Sequence, residues 1–339
     1  MKKTKKRSRL KTILIWSSIT LSVLVAIVVA LILIVSPGKI DPNSPHHPFK
    51  SQDAKERYLE FYDNKADTWP VSFTSKMVAT RYGETFVRIS GPVDADSLVL
   101  LHGVGGNAFQ WLPNIKELSA FFRIYAVDGI YGYGRTINSI SATEAGDYVA
   151  WLDELFAGLE LTKNINLVGL SYGGWIAGQY SLHKSAKLNK TVLIAPVGLV
   201  ESLSPVWMLR ATLCAIPHPY FTRSFMYWLL EDLAKSGEAG RAIVEDHIEE
   251  SYLAIRSFQP TLLAYPGLLS DEEIGRITVP LLFMVGENEK LYDAQIAINR
   301  FNKLNPGITT VKIPGAGHDV TVVQRQIVNR EILSFLINP

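Results

Sequence analysis

Asn166-Leu167-Val168-Gly169-Leu170-Ser171-Tyr172-Gly173-Gly174-Trp175 is the stretch on which the reading of this chain turns. An apolar, strand-like run ends in Gly-x-Ser-x-Gly, and a helix-compatible segment follows. A serine hydroxyl is a poor nucleophile unless it is held clear of the sheet, beside a base and close to backbone N–H donors. A sharp strand-to-helix turn does this, but it strains the serine's backbone and leaves room only for small neighbours, hence Gly169 and Gly173 on either side. Gly-rich turns between strand and helix are common, so the pentapeptide needs support from its surroundings. The expectation is a nucleophile elbow with Ser171 at its tip.

Outward from that turn, strand and helix patterns alternate. Residues 76–81 and 85–89, joined through Tyr82-Gly83-Glu84, read as an antiparallel hairpin. Residues 97–101 (SLVLL) and 121–127 (FFRIYAV) read as buried strands, 145–159 as a helix, 164–169 as the strand before the serine and 172–182 as the helix after it. Three more strands are expected at 191–195, 280–285 and 310–313, with helices at 293–304 and 320–336. This alternation implies an α/β fold with a mostly parallel, doubly wound sheet and helices on both faces. Between the strands at 191–195 and 280–285 the rhythm breaks. Residues from about 201 to 276 carry helical periodicity and many aromatics, among them Trp207, Tyr220, Phe221, Phe258 and Tyr265. A plain connection takes only a few residues, so this is read as a helical cap over the active-site face. Its apolar residues either pack it to the body or line a pocket for an apolar substrate.

The chain has 339 residues and is 47% hydrophobic, enough for one large α/β domain or two small ones. Residues 12–35 (TILIWSSITLSVLVAIVVALILIV) carry no charge. At ~1.5 Å per helical residue they cross a ~30 Å hydrocarbon core. The run is longer than a signal-peptide core and no clear small-x-small site follows it, so it is read as an uncleaved transmembrane anchor. Residues 1–11 hold seven basic side chains and no acid, which places the N-terminus in the cytoplasm and the body outside. Setting those seven aside leaves 27 basic residues against 32 acidic. The net charge of +2 is therefore a topology signal and points to no nucleic-acid partner. Residues 36–51, rich in Pro, Ser and Asn, read as a linker with solvated histidines at His46 and His47, and residues 52–339 as the catalytic body, opening with a short amphipathic helix at 53–65. Cys214 stands alone, so no intrachain disulfide forms, and its apolar setting marks an inert core or cap residue.

Four further signals follow in order. His102-Gly103-Val104-Gly105-Gly106, directly after a strand, can aim an N–H at a developing oxyanion. Val104 and Tyr172 are taken as the two donors, with His102 structural. In Asp128-Gly129-Ile130-Tyr131-Gly132-Tyr133-Gly134-Arg135-Thr136 the aspartate is expected to tie loops together, because the triad acid in this chain order follows the serine. Gly286-Glu287-Asn288-Glu289 ends a strand, and Glu289 is chosen as the carboxylate that holds the imidazole, with Asp293, Glu287 and Glu201 as competitors. His318, in Pro314-Gly315-Ala316-Gly317-His318-Asp319, sits on a Gly-rich loop near the C-terminus and is the candidate general base.

With these segments in order, residues from about 75 to 337 resemble the α/β-hydrolase superfamily, and the DGIYGYGRT, GLSYGGW and GENEKLYD segments resemble small bacterial carboxylesterase-like serine hydrolases. One departure is the acid, since Asp is commoner than Glu at that step. The resemblance implies two-step acyl transfer through Ser171, His318 and Glu289, with no metal or organic cofactor, on a small-molecule ester or other acyl substrate. Serine at the elbow argues against dehalogenase and epoxide hydrolase chemistry, where the resemblance would imply an Asp nucleophile. The superfamily reuses one triad for esters, thioesters, lactones and amides. Thioesterase, lipase and peptidase activities therefore stand as alternatives to a carboxylesterase, as does a non-catalytic ligand-binding or signalling protein on the same scaffold.

Overall fold

The computed structural model describes residues 42–338. In chain order these form α1 (Gln52–Ala66), β1 (Phe73–Thr80), β2 (Gly83–Ser90), β3 (Ser97–Leu101), α2 (Leu112–Leu118), β4 (Arg123–Val127), β5 (Ile137–Asn138) and α3 (Ala145–Gly158). Then come β6 (Ile165–Leu170), α4 (Tyr172–His183) and β7 (Leu188–Ile194). The cap brings α5 (Pro205–Cys214), α6 (Pro219–Leu229), α7 (Glu231–Lys235), α8 (Glu238–Ser257) and α9 (Asp271–Gly275). The chain closes with β8 (Leu281–Gly286), α10 (Ala294–Leu304), β9 (Thr309–Ile313), α11 (Val320–Val323) and α12 (Arg325–Ile337). The strands make one sheet in the order β1-β2-β4-β3-β6-β7-β8-β9, with β5 paired to β2. Pairing from β4 to β9 is parallel, and β1-β2 and β2-β4 are antiparallel.

Parallel strands covered on both sides need apolar residues at consecutive positions. Here Val99 and Leu101 face α3, α4 and α10, while Leu98 and Leu100 face α1, α2 and α12. Strand β6 divides in the same way, Ile165 and Leu167 to one core and Val168 and Leu170 to the other. Its C-terminal end is thereby fixed from both faces, and the elbow grows from that end.

Three features differ from the sequence reading. The expected helix at 320–336 breaks at Gln324, which leaves helical geometry at φ −113°, ψ 35°. Its side-chain amide donates to the Pro314 carbonyl (3.0 Å), bracing the loop that carries His318. The body also begins before residue 52. His47 is buried rather than solvated and bonds through Nε2 to the Asn138 carbonyl at 2.6 Å. Phe49 is buried against Phe258 at the end of α8, with ring centroids 4.4 Å apart. Backbone bonds from Lys50 to Ser257 and from Gln259 to Pro48 seal the contact. Thirdly, Arg88 in β2 is fully buried among aromatic rings, its guanidinium 4.2 Å from Phe73, 4.8 Å from Phe109 and 4.9 Å from Trp69. Nothing in the hairpin pattern signals this cation–π box. The expected anchor at 12–35, the basic tail and residues 36–41 lie outside the described residues. Among the described residues no helix is long and apolar enough to cross a membrane.

The cap is helical, as its periodicity implies. Leu233, Val244 and Ile248 form a small core of its own, reaching Val322 and Val323 of the body. Its long helix α8 is held to α1 by Lys65, which bonds Glu250 at 2.6 Å and Asp246 at 2.7 Å. Phe258 is buried, whereas Tyr220 and Tyr265 stay exposed.

A chain beginning at Ser51 should be less stable than one beginning at Pro42. The loss should be about 3 kcal/mol, combining burial of Phe49 with the net worth of the hydrogen bonds that go with it. Urea denaturation of the two chains measures it, and coincident curves would show that residues 42–50 contribute nothing.

Candidate active site

Strand β6 delivers Ser171 at φ 54°, ψ −114°, a backbone region that side chains other than glycine rarely occupy. Three bonds hold it there. Its N–H donates to Ile194 of β7 (2.9 Å), and its carbonyl accepts from Val197 (3.1 Å) and Trp175 (3.0 Å). The tightness of the turn explains the two glycines. A Cβ on Gly169 would lie 2.2 Å from the Gly173 carbonyl, and one on Gly173 would lie 2.5 Å from the carbonyls of Leu101 and His102.

The structure brings Ser171, His318 and Glu289 together. Ser171 Oγ is 3.0 Å from His318 Nε2, and His318 Nδ1 is 3.0 Å from Glu289 Oε2. A carboxylate can only accept, so Nδ1 carries the proton and Nε2 is left to accept from the serine hydroxyl. Glu289's other oxygen accepts the N–H groups of Lys290 (2.8 Å) and Leu291 (3.0 Å), and its side chain is fully buried. Two amides and the imidazole thus fix the longer acid in place. Burial pushes the His318 pKa down. The neighbouring Glu289 charge and its hydrogen bond more than offset this, with Asp319 adding to them, and the pKa lies above the ordinary 6.5.

The competing acids serve elsewhere. Asp293 caps α10, accepting from Gln295 and Ile296. Glu201 accepts from its neighbour Ser202, and Glu287 from Gly315. Asp128 accepts from Ala108, Arg135 and the Tyr62 hydroxyl, so it ties three segments together. His102 is fully buried; burial lowers its pKa, and its Nε2 accepts the Gly129 N–H at 2.8 Å. It fastens the glycine loop to the 129–133 loop.

That glycine loop abuts the serine, since a Cβ on Gly103 would lie 3.2 Å from Ser171 Cβ. Most amides around it are already used. Gly103 donates to Gln110 Oε1, Gly105 to Tyr131, Gly106 to Gly103 and Gly173 to His102. Among the described residues no acceptor is found for the N–H of Val104, and Tyr172, first in its helix, has none within that helix. These are the two positions expected to donate to an oxyanion. Sequence reasoning missed Gln110, which shapes the loop from seven residues away, and Asp319, the buried neighbour of the histidine. Its adjacency to His318 was the one available signal. A cavity of about 60 Å³ opens beside Val104, walled by Ile130, Tyr133, Phe258 and Leu263. Among the described residues no group of three or more His, Cys, Asp or Glu side chains is placed to hold a metal. Cys214 is buried in α5, and burial pushes its thiol up to about 11.

Comparison with known proteins adds four findings. A model of the Alpha/beta hydrolase family matches residues 98–330. Carboxylesterase YbfK of Bacillus subtilis (strain 168) is 33% identical over 296 residues, covering 85% of this chain and 96% of that protein. Its crystal structure, as carboxylesterase CesB, superposes with a TM-score of 0.76 over 84% of this chain and 98% of that one. The structure of naproxen esterase (carboxylesterase NP) from Bacillus subtilis superposes with a TM-score of 0.77 at 27% identity, covering 85% of this chain and all of that chain.

His318 should titrate above 6.5, so the neutral, accepting imidazole is lost as pH falls through that raised value. In Glu289→Gln the charge is gone, burial prevails, and the titration should move below 6.5. NMR of the histidine ring carbons reads both; an unmoved titration in the variant would separate Glu289 from the imidazole.

Proposed function

The chain belongs to the alpha/beta hydrolase family and is a hydrolase; from that premise we propose that it is a serine carboxylesterase tethered to a membrane by its N-terminal segment. The observation that carries the catalytic part is the Ser171–His318–Glu289 relay with its two 3.0 Å contacts.

His318 Nε2 takes the Ser171 proton as Oγ attacks the ester carbonyl. The negative charge that develops on the carbonyl oxygen is met by the N–H groups of Val104 and Tyr172, donors with no other engagement to give up. The tetrahedral intermediate collapses, the C–O bond to the alcohol breaks, and the alcohol leaves with the proton from His318. Water then gives a proton to His318 and attacks the acyl carbon, releasing the acid and restoring the Ser171 hydroxyl. Throughout, Glu289 holds the ring in one tautomer and stabilises the imidazolium. Every step uses side chains and amides already in place.

Ester substrates are favoured by the relatives, which bear the names carboxylesterase and naproxen esterase. The cavity beside Val104 has apolar walls at Ile130, Phe258 and Leu263, which supports an apolar acyl or alcohol group next to the glycine loop. The tether rests on the uncharged run at 12–35 and the basic residues before it. Together they support a single span with the N-terminus in the cytoplasm and the catalytic body on the outer side.

One set of fractions tests both parts. With the full chain, hydrolysis of p-nitrophenyl acetate or butyrate should sediment with washed membranes. Ser171→Ala should lower kcat by about 10⁴-fold or more, and removal of residues 1–35 should release the activity into the supernatant. Activity retained by Ser171→Ala would refute the catalytic reading. Full-length activity in the supernatant would refute the tether.

A further inference from the structure

Three contacts join cap helix α7 to the two loops that carry His318 and Glu289. Leu233 donates its N–H to Asp319 Oδ2 at 2.7 Å, Asn288 donates its amide to Asp232 at 3.1 Å, and Lys290 pairs with Glu231. The first differs in kind. Its acceptor is a carboxylate only 2% exposed, one residue beyond the base. The other oxygen of the same carboxylate, Oδ1, accepts the Gly317 N–H at 3.1 Å. That turn has little side chain of its own. Of Gly315, Ala316 and Gly317, which precede His318, only Ala316 has a side chain to bury in the core, so hydrogen bonds carry much of the turn's placement. It is also pressed from both sides, since a Cβ on Gly317 would lie 3.0 Å from the Asn288 carbonyl and 3.4 Å from the Asp232 carboxylate.

We propose that Asp319 is a positioning residue for the reaction above: its carboxylate locks the His318 turn to cap helix α7, so that the base is held at Ser171 while the cap is seated. This rests on the serine-hydrolase reading of the site. Removing the carboxylate leaves two buried N–H donors unpaired and frees the turn to shift. A displacement of about 1 Å at a reacting group suffices for a loss on the order of 10²-fold.

The test compares wild type, Ser171→Ala, Asp319→Ala, Asp319→Asn and the cap-side pair Glu231→Ala/Asp232→Ala. It reads steady-state hydrolysis of p-nitrophenyl acetate, the low-field proton resonance of His318 Nδ1–H, and melting curves. Asp319→Ala should lower kcat by about 10- to 100-fold with KM changing far less, and its low-field resonance should broaden or vanish. Asp319→Asn keeps one acceptor oxygen and should recover part of the rate. The cap-side pair should lower kcat by a smaller factor and add little in the Asp319→Ala background, as expected of sites sharing one linkage. Wild-type kcat and resonance in Asp319→Ala would overturn the proposal, whatever its melting temperature. If that variant does not fold, wild-type kcat and resonance in Asp319→Asn overturn it instead, because the amide cannot accept both N–H groups. Wild-type turnover that vanishes in Ser171→Ala, with Asp319 variants unaffected, removes this inference alone. An inactive wild type would remove the hydrolase reading and this inference with it.

Discussion

A serine held at φ 54°, ψ −114° is the constraint on which the rest depends. Such a backbone costs on the order of 1–3 kcal/mol and persists only where its surroundings over-determine it. Here a strand buried on both faces feeds the turn, a neighbouring strand accepts its N–H, and two residues beyond it grip its carbonyl. The parallel sheet therefore serves as more than a core. It is the frame that keeps one hydroxyl proud of the strand ends. Gly169 and Gly173 follow from that frame, because a methyl at either would collide with backbone that cannot retreat.

Around this point the site is assembled from segments far apart in the chain. The glycine loop after β3 leaves one amide, that of Val104, without an acceptor among the described residues, the loop after β8 supplies Glu289, and the turn after β9 supplies His318. Each lies at the C-terminal end of a parallel strand, where loops of this architecture converge. Glu289 shows how a longer acid is accommodated. The amides of Lys290 and Leu291 take one carboxylate oxygen, leaving the other aimed at the imidazole. The cap adds a second level of constraint, gripping the same loops from above through α7 and the N-terminal helix through α8.

The alternation of strands and helices, the tight turn at Ser171 and the strand ends that carry Glu289 and His318 were legible in the sequence because each leaves a local mark: an apolar run, a glycine pair, a strand end. The site's supporting residues leave none. Gln110 braces the glycine loop by a side-chain bond that no pattern announces, and Asp319 looks like one more polar residue after a glycine turn. His47 and Phe49 were lost in a Pro- and Ser-rich stretch whose composition reads as linker, although a single aromatic packed on Phe258 suffices to anchor it. Gln324 breaks a helix whose apolar period runs straight through it, since the break serves a tertiary contact with Pro314 rather than a local preference. Periodicity reports which face is buried. It does not report what holds a loop still.

The proposed reaction requires Ser171 to be an activated nucleophile within a working relay. Brief exposure to diethyl p-nitrophenyl phosphate, followed by peptide mass spectrometry, probes this. A single diethylphosphoryl group on the peptide containing Ser171, formed with stoichiometric release of p-nitrophenol, is the predicted result. No adduct, or an adduct confined to another residue, would contradict the account.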